Sequence, residues 1–254
     1  MWRYAIMVMA LLASPAQAEN EVHIVHCLQG CPTGTPNSND LVIRQIYALS
    51  SNDATKLADW VAYLITRETI GTSESLNRNW KKDPDLDDDE TLEPDPDDYK
   101  GANRQIKTDR GHMAPLASFA GTVFWRDTNY LSNITPQRSN LNQGPWLDLE
   151  NAERELTWRR GEVWVLVGTL YEKDEDPLPG ADEPHKVPSG YWKVISLESG
   201  KMAGFIFDQE LDRDANHCDQ IQPLQEIERR AGLDLFPNAP LSWGSQELGS
   251  DLGC

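Results

Sequence analysis

From Glu162 to Val167 the chain alternates, with Val163, Val165 and Val167 on one side of an extended backbone. A period of two marks a strand that buries one face. Two more strands read at Tyr191–Leu197 and Met202–Phe207, and between them Glu198-Ser199-Gly200 makes a short turn, so the pair closes as a hairpin. A hairpin is necessarily antiparallel, and the sheet built out from it needs other elements to cover its apolar face. Two helical segments are available: Leu141–Trp158, where Pro145 suits a first turn, and Pro223–Ala231, closed by Gly232.

Upstream, Val42–Leu49 is apolar and β-branched enough for a strand, and Ser50-Ser51-Asn52-Asp53 reads as the turn after it. The next segment, Lys56–Thr66, carries two signals. Leu57, Trp60, Val61, Leu64 and Ile65 fall at helical spacing, whereas the preceding turn and the aromatic and β-branched content favour a strand. No internal repeat is present. The reading is an α+β fold: one mixed domain with a central antiparallel sheet flanked by helices.

The 254 residues suffice for one large domain, and nothing in them calls for a second. The N-terminus runs from Met1-Trp2-Arg3 through an apolar stretch, Ala5–Ala13, to Ala16-Gln17-Ala18, which is the layout of a signal peptide with cleavage after Ala18. The apolar stretch is too short to span a bilayer. Residues 19–254 are therefore expected to be an exported domain, extracellular or periplasmic, with no membrane attachment after cleavage. Cys27, Cys31, Cys218 and Cys254 are an even number in a chain bound for an oxidising compartment, so disulfides are expected, in any of three pairings. A zinc site from His23, His26, Cys27 and Cys31 is the competing use of two of them, disfavoured by crowding and by export.

Charge is the unusual feature. Lys plus Arg number 23 against 41 Asp plus Glu, a net of −18, and loss of residues 1–18 removes only Arg3 among charged groups, leaving −19. Between Asp83 and Asp98, ten of sixteen residues are acidic and three are proline, so this stretch reads as a flexible, solvated loop outside the core. Asp83, Asp85 and Asp87 begin like a calcium loop, but Asp88 stands where glycine is needed and Pro94 where the last carboxylate belongs.

The chemistry gathers at Thr108-Asp109-Arg110-Gly111-His112-Met113-Ala114-Pro115 and in the polar run Asn133–Arg154. His112 supplies a base that titrates near neutrality, beside an acid and a guanidinium. Asn133, Asn142, Glu150 and Arg154 add neutral oxygen ligands, an acid and a cation. Glu150 and Arg154 stand four apart in the expected helix, a pair worth only about 0.3–0.5 kcal/mol as surface chemistry. A base, an oxygen ligand for a hard ion and several arginines point to chemistry on a phosphate ester. Taken singly, each has an ordinary alternative: Asn142 as a helix cap, Arg78 as a surface cation, Asp109-Arg110 as a turn with an ion pair. His185 and His217, in polar loop-like surroundings, read as exposed bystanders.

The motifs Arg78-Asn79-Trp80, Lys107–His112, Ala114–Ser118, Asn129–Gln137, Leu141-Asn142-Gln143-Gly144 and Glu150-x-x-x-Arg154, in this order and spacing, resemble those of the DNA/RNA non-specific endonucleases, the ββα-metal nucleases. The resemblance covers nearly the whole mature chain. It implies a strand for Lys56–Thr66, a ββα-metal motif embedded in the domain, and disulfides Cys27–Cys31 and Cys218–Cys254. It also implies hydrolysis of DNA and RNA, single- and double-stranded, to 5′-phosphorylated products. In that scheme His112 is the general base, Asn142 the direct ligand of Mg²⁺, with Mn²⁺ as a substitute, and Glu150 acts on the ion from behind. Arg78 stabilises the transition state and Arg154 grips phosphate. Asp109 organises the site by orienting His112, and Arg110 and Asn133 position substrate. A homodimer is a further implication. The acidity departs from the usual basic character of nucleic-acid binders and implies activity that tolerates, or prefers, salt.

Two other classes remain. A nucleic-acid-binding module without catalysis would not need both His112 and Asn142. A different hydrolase is disfavoured by the lack of a His-Glu-x-x-His or Gly-x-Ser-x-Gly pattern. A phosphodiesterase restricted to small substrates would spare polymeric DNA.

Overall fold

The computed structural model describes residues 23–240, 243–244 and 246–254, so the expected signal peptide lies outside the described residues. In chain order the elements are β1 (Asp40–Ile43), β2 (Ala48–Asn52), β3 (Leu57–Thr66), α1 (Ala102–Ile106), β4 (Thr108–His112), α2 (Leu116–Phe119), β5 (Ile134–Arg138), α3 (Ser139–Asn142), α4 (Pro145–Arg160), β6 (Glu162–Leu170), β7 (Gly190–Ser196), β8 (Lys201–Asp208), β9 (Ile221–Gln222), α5 (Leu224–Ala231) and β10 (Gln246–Glu247). The main sheet runs β1-β2-β3-β6-β7-β8-β10, antiparallel except for the β8–β10 edge, with β9 also on β8. A separate two-stranded ribbon pairs β4 with β5.

The sheet is covered on both faces. On one, Val61, Tyr63, Val163, Val165, Tyr191 and Phe205 pack against Phe119, Trp146, Leu149 and Leu156 of α2 and α4. On the other, Trp60, Ala62, Leu166, Trp192 and Val194 meet Ile227 of α5, the Leu233–Phe236 segment and Cys27. This two-sided burial explains the double signal in Lys56–Thr66: a strand covered on both faces need not alternate, so its apolar residues can fall at helical spacing by chance. β3 is a strand. Pro145 opens α4, and Gly232, at φ 70°, closes α5 in the left-handed conformation that spares a side-chain clash. Disulfides join Cys27 to Cys31 and Cys218 to Cys254, which removes Cys27 and Cys31 as zinc ligands.

Two expectations need correction. Val42–Leu49 is two strands, because the chain turns at Arg44–Tyr47, closed by Arg44 N–H donating to the Tyr47 carbonyl. The turn placed at Ser50–Asp53 accordingly falls at Asp53–Lys56. The acidic stretch 83–98 is a solvated loop only in part: Asp87–Asp89 are exposed, but its two ends are anchored. Asp83 is 3% and Asp98 0% exposed, and Leu92 lies in a third cluster with Leu57, Tyr99 and Leu131. Arg44 pairs with Asp83 and Arg110 with Asp97, so two cations from elsewhere in the chain fasten it to the body, while the adjoining Lys82 pairs with Glu93. Among the described residues no helix is long and apolar enough to cross a membrane.

Candidate active site

The β4–β5 ribbon sets the site. Its register places Asp109 opposite Gln137, Gly111 opposite Thr135 and His112 opposite Ile134. A Cβ on Gly111 would lie 2.5 Å from Gln137 Oε1 and 2.8 Å from Gln137 Cβ, so only glycine lets the strand pass here. β5 leads directly into α3 and α4, which makes a strand-strand-helix unit whose inner face carries Asn142, Glu150 and Arg154 toward His112. These residues line one open cleft of about 720 Å³ together with Arg78, Arg110, Gln143, Leu147 and Trp158.

His112 stands against the Trp80 ring, centroids 5.5 Å apart, and its Nε2–H donates to Asn129 Oδ1 at 3.3 Å. That bond fixes the tautomer and leaves Nδ1 as the unprotonated, basic nitrogen. Burial, aided by the nearby Arg78 charge and opposed by the Asn129 bond, lowers its pKa to about 4. The imidazole is thus neutral at physiological pH.

The Asp109 carboxylate does not orient His112, contrary to expectation. It collects four donors: Asn103 Nδ2 at 2.6 Å, Gln143 Nε2 at 2.7 Å, Ser139 Oγ at 2.8 Å and Asn142 Nδ2 at 3.1 Å. Burial raises such a group, but these hydrogen bonds outweigh it and hold the carboxyl below the ordinary aspartate range. Because the amide nitrogen of Asn142 is tied to Asp109, its Oδ1 is the end left to act as a ligand on the cleft. Glu150, in the second turn of α4, has its carboxyl raised by burial, against the opposing charges of Lys193 and Arg154. Its Oε2 lies 3.9 Å from Arg154 Nη1. A fixed amide oxygen with a carboxylate behind it is a donor set that suits a hard cation retaining several waters.

Asn133 is the second correction. It is 0% exposed, and its side chain accepts from Ala114 N–H at 2.8 Å and donates to the carbonyls of Ala114 and Thr128. It staples the loop behind His112 and does not reach the cleft. Arg110 does line the cleft, held by Asp97 and lying over the rings of Trp80 and Tyr99 at 5.4 and 4.9 Å. His185 and His217 are half-buried and bonded, the first to Leu178 N–H and the second to the Leu252 carbonyl. Sequence reasoning placed Asn129 in a motif but gave it no role, and it missed Lys193, because only the long-range fold brings them to His112 and to α4.

A model of the DNA/RNA non-specific endonucleases matches residues 29–242. The chain belongs to this family. It is 45% identical over 236 residues to the nuclease of Serratia marcescens, covering 91% of this chain and 87% of that one. Human mitochondrial endonuclease G is 27% identical over 233 residues, 84% of this chain and 74% of that one. A crystal structure of an EndoG/EndoGI complex superposes with a TM-score of 0.69 at 23% identity, over 84% of this chain and 92% of that chain, and so shares its fold. The ribbon-and-helix unit around His112 is thus part of a known endonuclease architecture.

Proposed function

We propose that this chain is an exported, metal-dependent endonuclease that hydrolyses the phosphodiesters of DNA and RNA, single- or double-stranded, and leaves 5′-phosphates. The observation that carries the reading is the convergence of a neutral histidine with a basic Nδ1, an amide oxygen fixed by Asp109, a carboxylate and three arginines in one cleft.

His112 Nδ1 takes a proton from the attacking water, as a general base that is uncharged throughout the working range. Asn142 and, behind it, Glu150 would hold Mg²⁺, or Mn²⁺ in its place. When bound there, the ion would supply positive charge to offset the negative charge developing on the phosphate and the leaving oxygen. Arg78 faces the same space from the loop after β3 and stabilises the growing charge on phosphorus. Arg154 and Arg110 grip neighbouring phosphates. Asp109 keeps Asn142 in its ligating orientation, a supporting role of the kind that commonly decides metal affinity. The assembly implied by family membership, a homodimer, can be read from sedimentation of the mature chain.

The test is an initial-rate assay on plasmid DNA and on RNA, with Mg²⁺ or chelator, using wild type and His112→Ala. Cleavage of both polymers that needs the metal and collapses in the variant is expected. Binding of both polymers without cleavage would replace the enzyme with a catalytically silent binding module.

A further inference from the structure

The acidic stretch holds a feature that the cleft does not use. Asp98, at its C-terminal end, is 0% exposed, and its Oδ1 has no hydrogen-bond partner. Its other oxygen accepts from Glu93 N–H. Glu183 reaches the same point from the loop between β6 and β7, and its Oε1 is likewise buried without a partner. Asp182 stands beside it at the surface, and one ligand oxygen from each of the three lies within 4.8 Å of the others. Among the described residues no lysine or arginine pairs with any of them.

Such an arrangement is costly as it stands. A buried carboxylate is tolerated when paired with a cation, protonated or bound to a metal, and two facing carboxylates with free oxygens turned inward repel each other besides. The contrast with the rest of the stretch is informative, because Asp83, Glu93 and Asp97 each have a basic partner. Asp98 has none, although it is the most buried of the ten acids.

We infer that Asp98, Asp182 and Glu183 form a calcium site, which clamps the acidic segment onto the 178–185 loop. Three carboxylates on two irregular loops, with Asp182 exposed to solvent, match an ion that accepts six to eight oxygens in flexible geometry. Mg²⁺ demands a stricter octahedron. The two loops already touch closely, since a Cβ on Gly180 would lie 2.7 Å from the Asp98 carbonyl. The clamp would also bear on the cleft: Asp97, the neighbour of Asp98, holds Arg110. Without the ion, burial and Glu183 push the Asp98 carboxyl up to about 7, so the metal-free pair keeps a proton instead.

The inference does not depend on the nuclease reading, and its test is kept apart from it. Metal-stripped protein carrying Asn142→Ala, which removes the proposed ligand in the cleft, is titrated with CaCl₂ by calorimetry, and its Tm is followed in parallel. One site is expected, with Kd on the order of 10⁻⁴ M, together with a rise in Tm. Added Asp182→Asn, at an exposed position that folding tolerates, should weaken the calcium response at least tenfold, and Glu183→Gln should abolish it. Well above the raised Asp98 value of about 7, where the metal-free pair has lost its proton, Glu183→Gln should also raise the Tm by relieving the like-charge contact. No heat and no Tm response in the Asn142→Ala protein would overturn the site and leave a pair that only shares a proton. A response that survives both carboxylate substitutions would overturn it as well.

Discussion

The Asp109 carboxylate accepts a hydrogen bond from Asn142 Nδ2 at 3.1 Å, and that bond decides which end of the Asn142 amide faces the cleft. Asp109→Asn keeps the size of the group but turns one acceptor oxygen into a donor, which must face either Asn142 Nδ2 and Gln143 Nε2 or Asn103 Nδ2 and Ser139 Oγ. Either way the amide accepts fewer bonds than the carboxylate and carries no charge, so the hold on Asn142 is weakened, and where the new NH2 faces Asn142 the bond is lost or Asn142 flips and withdraws its oxygen. Metal affinity, measured as the Mg²⁺ concentration for half-maximal rate, should fall by about 10–100-fold, with His112 unaffected. Unchanged metal dependence would mean that Asp109 does not set the orientation of Asn142.

His112 should titrate low. Its folded pKa of about 4 lies under the free value of 6.5, so between these limits the unfolded chain binds more protons than the native one. The stability gained by keeping the ring neutral is complete above pH 6.5 and is lost progressively as pH falls toward 4. NMR titration of the metal-free protein should place the midpoint near 4. Arg78→Gln should move it upward by a fraction of that displacement, since burial is the larger cause and the Arg78 charge a smaller one. A midpoint at 6.5 would mean the ring is solvated.

How legible all this was depends on whether the deciding contact was local. The alternation of Val163, Val165 and Val167 and the stop at Gly232 are local, and they gave the right elements. The motif residues His112, Asn142, Glu150 and Arg154 do meet in one cleft. Asn133 looked like a cleft residue because a polar side chain in a polar run has no burial signal, yet it closes three bonds inside the loop. The acidic stretch looked solvated for the same reason: composition does not show that Arg44 and Arg110 reach it from distant parts of the chain. Lys193 sits in an apolar strand and would pass as a packing exception, whereas it is wholly buried beneath α4.

That lysine carries a stability prediction. Lys193 Nζ donates to Glu153 Oε1 at 2.8 Å, both side chains are 0% exposed, and the ammonium lies 4.1 Å from the Trp146 ring centroid. Tyr63 Oη donates to the other Glu153 oxygen at 3.3 Å. Lys193→Met leaves Glu153 charged and unpaired in the core, which should cost about 3–5 kcal/mol in urea unfolding. Adding Glu153→Gln should recover a large part of it. A double variant no more stable than the single one would show that the lysine acts by packing on Trp146.

Trp158 is 54% exposed at the rim of the cleft, on the same helix as Arg154. An aromatic face so placed suits stacking by an unpaired base, worth about 1–3 kcal/mol. Trp158→Ala should therefore raise KM for single-stranded substrate by at least about fivefold, on the 1.4 kcal/mol-per-decade scale, and leave kcat nearly unchanged. A duplex, whose bases are already stacked, should be affected less. Equal effects on both substrates would point to a role in shaping α4.

Salt should act in two opposed ways. A chain of net charge −18 repels a polyanion at a distance, and added salt shortens that repulsion, from a Debye length of about 10 Å at 0.1 M to about 3 Å at 1 M. The contacts of Arg78, Arg110 and Arg154 with phosphate weaken as salt rises, because counterions released into a more concentrated bulk gain less entropy. With only a few cations in the cleft the second effect is shallow, whereas the first acts on the whole molecule. The initial rate on duplex DNA should thus climb from low ionic strength, pass through a maximum and then decline. Replacing exposed acids that do not line the cleft, such as Asp87 and Asp89, with asparagine should shift that maximum toward lower salt. A rate that falls steadily from the lowest ionic strength upward would show that the local contacts dominate and that the acidity has no part in setting the working conditions.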